Sequence, residues 1–179
     1  MRNYIERAID FIHGIDPLIV RNDDWLSAKI AVNNFNTMYN RKVILCSGCT
    51  RIALVTSDYV VKYDYDESEV PQVGGCENEI RFYNMAKKEG FDYLFCPITH
   101  YEYNSRNYYI MPKINGVGRA DDNHAWHYMT EKESTWCADH GLCDLHSDNF
   151  GFRKGKLCIV DYACTFGYES GDIDESFSS

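Results

Sequence analysis

The N-terminal part of the chain predicts two amphipathic helices. Within residues 3–13 the apolar side chains recur every three or four positions, and a second such pattern follows the capping residues at 22–24. We expect the turn between the two helices around Gly14 and Pro17. The apolar positions are Ile5, Ala8, Ile9 and Ile12 in the first helix, and Trp25, Ala28, Val32, Phe35 and Tyr39 in the second.

Short β-branched and aromatic runs follow these helices, separated by turn formers such as Ser57-Asp58 and residues 104–107. The predicted strands are Val43–Cys46, Arg51–Thr56, Tyr59–Tyr63, Ile98–Tyr103 and Tyr108–Met111. A helix is expected over residues 77–89, between the third and fourth strands, with Gly90 as its C-cap. Five strands with a helix after the third predict an α+β fold.

The C-terminal part predicts a helix and a hairpin. The helix is expected over residues 123–140, followed by a loop over 141–149. The hairpin strands are Phe150–Arg153 and Lys156–Val160. The tail over 167–179 has low apolar content, and we expect it to be mobile.

The composition is that of a globular protein, with 45% hydrophobic and 25% charged residues. A net charge of −9 disfavours binding to nucleic acid, because the phosphate backbone is also negative. Glu6 and Asp10 interrupt the region where a secretory signal needs an apolar run, and no apolar run is long enough to span a bilayer. We therefore expect a cytoplasmic protein that binds neither nucleic acid nor membranes.

The chain contains 8 cysteines. Without a secretory signal we expect them to be reduced and to pack as small hydrophobic residues. Cys46 and Cys49 have the spacing of half a zinc or redox site, but no second CxxC accompanies them. Packing is the favoured interpretation, and whether this pair binds a metal stays open.

The densest group of candidate catalytic residues lies around the C-terminal hairpin. Asp144 and Asn149 stand in the preceding loop with four residues between them, and Asp161 follows the last apolar strand. Phosphoryl transfer needs a carboxylate that orients the attacking hydroxyl and oxygen ligands that hold magnesium. The pattern therefore favours magnesium-dependent phosphoryl transfer.

The segment Asp144-Leu-His-Ser-Asp-Asn149 resembles the catalytic loop of the protein-kinase-like superfamily. It has the DxHxxN form found in aminoglycoside kinases, choline kinases and atypical protein kinases, and the resemblance covers residues 43–165. It implies that Asp144 is the catalytic aspartate and that Asn149 and Asp161 hold Mg²⁺. His146 would pack and form hydrogen bonds that hold the loop.

The resemblance also assigns residues in the first half of the chain. Lys62 closes the third predicted strand, where the superfamily has the lysine that pairs with the ATP phosphates. Glu79 in the following helix would pair with Lys62, and Glu77 is the alternative partner. The lysine, the glutamate, the loop and the final aspartate occur in the order that the superfamily requires.

The same resemblance implies a nucleotide site around the fifth strand. Ile110 would be the gatekeeper residue, and Met111 and Lys113 would lie against the nucleotide. Pro112 has no N–H, so contacts to adenine must come from neighbouring backbone groups. The loop between the first two strands keeps only Gly48 of the glycine pattern that covers phosphates in the superfamily.

The resemblance implies a two-lobed arrangement. Residues 42–114 would form a five-stranded antiparallel N-lobe with one helix, and residues 115–166 a strongly reduced helical C-lobe. The helical extension over residues 1–41 would cover surface that the missing C-lobe helices otherwise protect. The acidic tail 167–179 would follow, and all parts would belong to one structural domain.

Within the superfamily the chain is most similar to the minimal atypical Ser/Thr kinases of bacteriophages and bacterial effectors. This resemblance implies phosphoryl transfer from ATP, with Mg²⁺, to Ser or Thr of a protein target. The acidic surface would favour a basic target. One alternative is a pseudokinase-like protein that inhibits or scaffolds a partner protein. Another is a small-molecule kinase of the aminoglycoside type, which usually has a larger helical C-lobe.

Overall fold

The computed structural model of the protein describes residues 3–19, 25–47, 51–64, 75–116, 128–142 and 145–162, which form an α+β fold. The helices are α1 (Tyr4–Ile19), α2 (Trp25–Tyr39), α3 (Cys76–Glu89) and α4 (Glu131–Asp139). The strands are β1 (Ile44–Ser47), β2 (Arg51–Val55), β3 (Tyr59–Asp64), β4 (Thr99–Tyr103), β5 (Arg106–Pro112), β6 (Asn115–Gly116), β7 (Phe150–Arg153) and β8 (Lys156–Ile159).

The centre of the fold is a five-stranded antiparallel sheet with the strand order β1-β2-β3-β5-β4. The predicted five strands and the helix after the third are therefore confirmed. Gly90 closes α3 in the left-handed conformation, with φ of 79°, as its C-cap position requires. A second sheet, β6-β7-β8, contains the predicted C-terminal hairpin.

Helices cover both faces of the larger sheet. In β3 the side chains of Val61 and Tyr63 face the core formed with α1 and α2, whereas Val60 packs against the core that contains α3 and α4. The first two helices therefore cover the face of the sheet opposite α3 and α4, which we call the outer face. This corrects the expectation that they cover surface which missing C-lobe helices would otherwise protect. Successive side chains of a strand point to opposite faces, and β3 has apolar residues at consecutive positions, so both faces of the sheet are apolar and each needs a cover.

Helix α1 continues through the region where a turn was expected. It runs past Gly14 and Pro17 and ends at Ile19. A Cβ on Gly14 would lie 3.1 Å from Cε2 of Phe35 in α2, so the glycine allows close packing of the two helices. Pro17 falls in the last turn, where its missing N–H removes a single hydrogen bond. The predicted caps at 22–24 lie outside the described residues.

Helix α4 begins later than its apolar pattern indicated. Thr130 is the N-cap, because its Oγ1 accepts from the N–H of Glu133 at 3.3 Å while Glu133 Oε2 accepts from the N–H of Thr130 at 2.6 Å. This capping box sets the start of the helix at Glu131. Residues 123–127 of the predicted helix lie outside the described part of the chain.

The second core lies between α3, α4 and the C-terminal hairpin. Its largest members are aromatic, and their rings meet edge to face or stacked at centroid distances of 5.0 to 5.8 Å. These residues are Phe82, Phe91, Phe95, Trp136 and Tyr162. The core therefore joins the hairpin that precedes Asp161 to α3, which carries Glu79.

The cysteines that the structure describes are free thiols, and their redox state stays a prediction. Cys46 is exposed, and the remaining members of this group are buried: Cys76, Cys96, Cys137 and Cys158. Helices in the described ranges do not combine the length and the apolar character that a membrane crossing needs.

Candidate functional site

A lysine and a glutamate form a buried ion pair between the sheet and α3. The Nζ atom of Lys62 in β3 donates to both carboxylate oxygens of Glu79, at 2.8 and 3.0 Å. Lys62 is 6% exposed and Glu79 is 0% exposed. Each buried charge compensates the desolvation of the other. The structure thus brings Lys62 and Glu79 together, whereas Glu77 is exposed.

Asp64, at the end of β3, positions α3 for this pair. Both of its carboxylate oxygens accept from the N–H of Cys76, the first residue of α3, at 3.0 Å. A negative charge at this end of a helix also interacts favourably with the helix dipole. Gly75 permits the approach, because a Cβ there would lie 3.2 Å from Asp64 Oδ2. The first turn of α3, which carries Glu79, is therefore held against the end of β3.

The segment after β8 joins the same cluster. The carbonyl of Val160 accepts from Lys62 Nζ at 3.1 Å, and the N–H of Tyr162 donates to Glu79 Oε1 at 3.3 Å. The side chain of Tyr162 is completely buried. Asp161 lies between these two anchored residues, so the backbone holds it beside the ion pair.

Arg51, the first residue of β2, is a second cation in the cluster that no sequence motif indicated. Its guanidinium donates a hydrogen bond to Asp161 and lies 3.9 Å from Glu79 Oε2. The side chain is 13% exposed. Burial disfavours the charged form of Arg51, but the negative Glu79 and Asp161 outweigh burial and raise its pKa above the ordinary value. The carboxylate of Asp161 therefore has a cation as its partner.

Strand alternation is the signal that could have identified Arg51. Ile52 and Leu54 are buried in the core beside α1 and α2, so Arg51 and Ala53 face the opposite side of the sheet. In the antiparallel register Ala53 stands opposite Lys62. Arg51 consequently lies on the same face of the sheet as Lys62, at a diagonal position on the neighbouring strand. The alternation is visible in the sequence, but the register between the strands is not.

The two predicted metal ligands, Asn149 and Asp161, flank the β7–β8 hairpin. Asn149 ends a 3-10 turn over Ser147–Asn149 and is 6% exposed. Its backbone carbonyl accepts from the N–H of Val160 at 2.8 Å. Because Asp161 follows directly, this bond ties the two ends of the hairpin together beside Lys62.

His146 stabilises the turn before Asn149. Its Nδ1 accepts from the N–H of Asp148 at 3.3 Å, which satisfies a donor at the start of the 3-10 turn. The side chain is 54% exposed, so the expected packing is not observed. The neighbouring Leu145 occupies the interior instead, at 6% exposure. The histidine therefore holds the loop through a hydrogen bond from the surface.

Two predicted site residues, Asp144 and Gly48, lie outside the described residues. Their roles stay predictions. The chain on both sides of positions 143–144 is part of the core beside α3 and α4, since Leu142 is 4% and Leu145 6% exposed. The N–H of Leu142 also donates to the carbonyl of Cys137 in α4, at 2.9 Å. The flanks of the predicted catalytic aspartate are therefore anchored.

Alternation in β5 corrects the predicted gatekeeper. Ile110 is 0% exposed and lies in the core beside α1 and α2. In the register it stands opposite Val61, whereas Tyr109 stands opposite Lys62. The side chain of Ile110 is therefore on the far face of the sheet and cannot line a site beside Lys62. Met111, which lies in the core on the α3 side, is the predicted residue that remains for this position.

The backbone that follows β5 is engaged within the protein. The N–H of Lys113 donates to the carbonyl of Asp58 at 3.0 Å, and the Lys113 side chain is exposed. The carbonyl of Pro112 accepts from the Sγ of Cys96 at 3.4 Å. A base that bonded to the amide of Lys113 would have to replace its bond to Asp58. The role of Lys113 stays a prediction.

The donor set suits magnesium that shares its coordination with phosphate groups. In the described part of the chain, no group of three or more His, Cys, Asp and Glu side chains is arranged to hold a metal. Asp161 and Asn149 offer hard oxygen atoms, and Mg²⁺ commonly takes one or two carboxylates and fills its other positions with water and phosphate oxygens. The residues present fit such an ion. Cys49 is outside the described residues, so zinc at Cys46 and Cys49 stays open.

Comparison with known proteins finds structural likeness but no match in sequence. The chain matches no protein-family model and no curated protein sequence. Its structure is similar to that of the Legionella pneumophila Lpg2603 kinase bound to IP6, with a TM-score of 0.45 and 17% sequence identity over 77% of this chain. The chain spans 54% of the length of that kinase.

Proposed function

We propose that this protein transfers the γ-phosphoryl group of ATP to a Ser or Thr hydroxyl of another protein, with Mg²⁺. The observation that supports this most strongly is the buried contact between Lys62 and Glu79. The backbone on each side of Asp161 also forms a hydrogen bond to this pair. A lysine, a helix glutamate and an aspartate after a hairpin are the parts that phosphoryl transfer in kinases requires. The two-lobed arrangement, with an N-lobe over 42–114 and a reduced C-lobe over 115–166, belongs to the proposal.

Lys62 would contact the α- and β-phosphates. Glu79 and the carbonyl of Val160 restrict the ammonium to one position, so little side-chain freedom is left to lose when a phosphate binds. Because the dielectric around the pair is lower than that of water, burial strengthens the attraction between the Lys62 ammonium and a nearby anion. Lys62 is thus a preorganised cation rather than a mobile surface lysine.

Asn149 and Asp161 would hold Mg²⁺, which would neutralise charge on the phosphates when it is bound. The backbone bond between Asn149 and Val160 keeps these two ligands at the same end of the hairpin. Their oxygen chemistry favours magnesium over zinc. The remaining ligands would come from phosphate and water.

Asp144 would accept or orient the hydroxyl proton of the target side chain. In the reaction the bond between Pγ and its bridging oxygen to Pβ breaks, and a bond from Pγ to the acceptor oxygen forms. The hydroxyl proton passes to the Asp144 carboxylate and then to water, and ADP leaves. A net charge of −9 supports a basic target protein, since opposite charges accelerate encounter.

The ion pair between Arg51 and Asp161 favours a second candidate function. The guanidinium of Arg51 is paired with the carboxylate of Asp161, which is the proposed magnesium ligand. A carboxylate that is already paired with a cation favours a site that does not bind the metal ion. The protein would then be pseudokinase-like, and would inhibit or scaffold a partner protein without transferring phosphate. The two candidates differ in whether Mg²⁺ and ATP bind at all.

The test is incubation of the full chain with γ-labelled ATP and Mg²⁺, with and without a basic protein substrate. Wild type is compared with Asp144→Asn, Lys62→Ala and the surface control Glu77→Gln. Label on protein that is lost in the first two variants and kept in the control supports the kinase. Label at the same background level in all four proteins contradicts it. Phosphopeptide mapping then determines whether Ser or Thr carries the phosphate.

A further inference from the structure

Among the residues that the structure describes, two cations and two carboxylates of the site pair with one another. Lys62 pairs with Glu79, and Arg51 pairs with Asp161 while lying 3.9 Å from Glu79. The groups come from four separate parts of the fold: β2, β3, α3 and the segment after β8. Within the described part of the chain, these two cations and two carboxylates carry equal and opposite formal charges.

Magnesium and nucleotide would change that balance in a definite way. A dication on Asp161 would stand beside the guanidinium of Arg51, and two cations that share one carboxylate repel each other. The phosphates of ATP would bring negative charge to the same face of the sheet. Arg51 would then leave Asp161 for another anion, and a phosphate has the geometry to replace the carboxylate.

We infer that Arg51 is a phosphate-binding residue that exchanges Asp161 for the nucleotide phosphates when Mg²⁺ and ATP bind. This inference rests on the function proposed above and extends it to a residue outside the superfamily pattern. It also accounts for the loop between β1 and β2, where Gly48 is the one glycine between Cys46 and Arg51. A guanidinium fork at the start of β2 supplies the phosphate contact that a glycine-rich backbone would otherwise make.

Calorimetric titration of the full chain with ATP tests the contact. The proteins are wild type, Arg51→Gln and the matched control Arg7→Gln, whose guanidinium pairs with Asp58 on the surface at 2.6 Å. With Mg²⁺ present, Arg51→Gln should weaken ATP binding by about tenfold or more, because a charged hydrogen bond is lost. Arg7→Gln should leave the affinity unchanged. Equal ATP affinity of Arg51→Gln and wild type overturns the inference and leaves the proposed kinase standing.

A second measurement tests the exchange itself and does not depend on the stability of Arg51→Gln. Asp161→Asn releases Arg51, so this variant should bind ATP more tightly than wild type when EDTA removes Mg²⁺. The double variant Arg51→Gln/Asp161→Asn removes both charges together and should lack that gain. A gain that persists in the double variant, or no gain in Asp161→Asn, overturns the exchange.

A titration with Mn²⁺ alone, followed by electron paramagnetic resonance, completes the test. Arg51→Gln should bind Mn²⁺ more tightly than wild type, because a competing cation has been removed from Asp161. Weaker or equal Mn²⁺ binding counts against the exchange. If wild type binds neither Mn²⁺ nor ATP with Mg²⁺, the proposed function fails and this inference fails with it.

Discussion

Lys62 Nζ lies 2.8 Å from Glu79 Oε1, and this contact joins the central strand of the sheet to the helix beside it. Among the described contacts, Glu79 interacts with more groups than Lys62 does. It accepts from Lys62 and from the N–H of Tyr162, and it lies 3.9 Å from Arg51. Loss of the glutamate therefore leaves two cations without their shared anion, whereas loss of the lysine leaves the glutamate with Arg51.

This asymmetry predicts unequal effects of Glu79→Gln and Lys62→Met. Glu79→Gln should lower the free energy of unfolding by about 3–5 kcal/mol, since removal of one partner leaves buried charge uncompensated. Lys62→Met should cost less, because Arg51 stays near the carboxylate and methionine fills the space. Urea unfolding followed by circular dichroism measures both values. Glu77→Gln, an exposed change on the same helix, should stay within about 0.5 kcal/mol of wild type. A larger loss for Lys62→Met than for Glu79→Gln would contradict this account.

The carboxylate of Asp64 should be needed for the position of α3. Asp64→Ala removes both acceptors of the Cys76 N–H and the charge at the helix N-terminus. We expect a loss of about 1–2 kcal/mol in the free energy of unfolding, as for other lost helix caps. Asp58→Ala, which breaks an exposed pair with Arg7, should cost less than about 1 kcal/mol. Equal costs in urea unfolding would show that Asp64 is not an anchor.

Asp16 predicts a pH dependence of stability. Its side chain is 1% exposed, Oδ1 has no hydrogen-bond partner among the described residues, and Asn104 Nδ2 lies 3.4 Å from Oδ2. Burial raises the pKa of Asp16 above its ordinary value of 3.8, and Asn104, Arg106 and His13 oppose this only in part. The folded state thus prefers the protonated form, and the stability that this residue contributes is lost as the pH rises through the folded-state pKa.

Asp16→Asn should therefore be more stable than wild type at pH 7, and the difference should shrink as the pH falls toward 4. Thermal unfolding at a series of pH values measures this difference. Asp10→Asn is the matched control, because Asp10 is exposed on the same helix. A difference between Asp16→Asn and wild type that grows toward low pH would reverse the sign and refute the assignment.

Gly151 should be essential for the position of the C-terminal hairpin. A Cβ there would lie 2.3 Å from Ile114 Cγ2 and 2.5 Å from the backbone oxygen of Asn115, so β7 would have to move away from β6. We expect Gly151→Ala to cost about 1–3 kcal/mol and to weaken ATP binding, because the hairpin carries Asn149 and Asp161.

The hairpin tip provides the control for Gly151→Ala. Gly155 has φ of 76° and nothing within 4 Å of an added Cβ. Gly155→Ala should cost about 1–2 kcal/mol through backbone strain alone and leave ATP affinity unchanged. Equal ATP affinities of Gly151→Ala and wild type would show that the hairpin tolerates the displacement.

Much of the local structure could be predicted because its causes are local. Short β-branched and aromatic runs separated by turn formers predict the five strands, the hairpin and their order, and a glycine in the left-handed conformation ends α3 where Gly90 stands. The positions of Lys62 and Glu79 on a strand and on the next helix follow from the same patterns. Their contact agrees with the sequence-based pairing, although the functions of Asp144, Asn149 and Asp161 stay predictions.

The tertiary structure decided the features that depend on which surfaces meet. The sequence alone cannot show that α1 and α2 cover the outer face of the sheet, that Ile110 points toward them, or that Arg51 reaches Asp161. Alternation along a strand determines which residues share a face, but strand register and the choice of covering helix depend on contacts between distant segments. Arg51 and Asp161 are separated by 110 positions in the chain, and only the packing of the hairpin against the sheet brings their charges together.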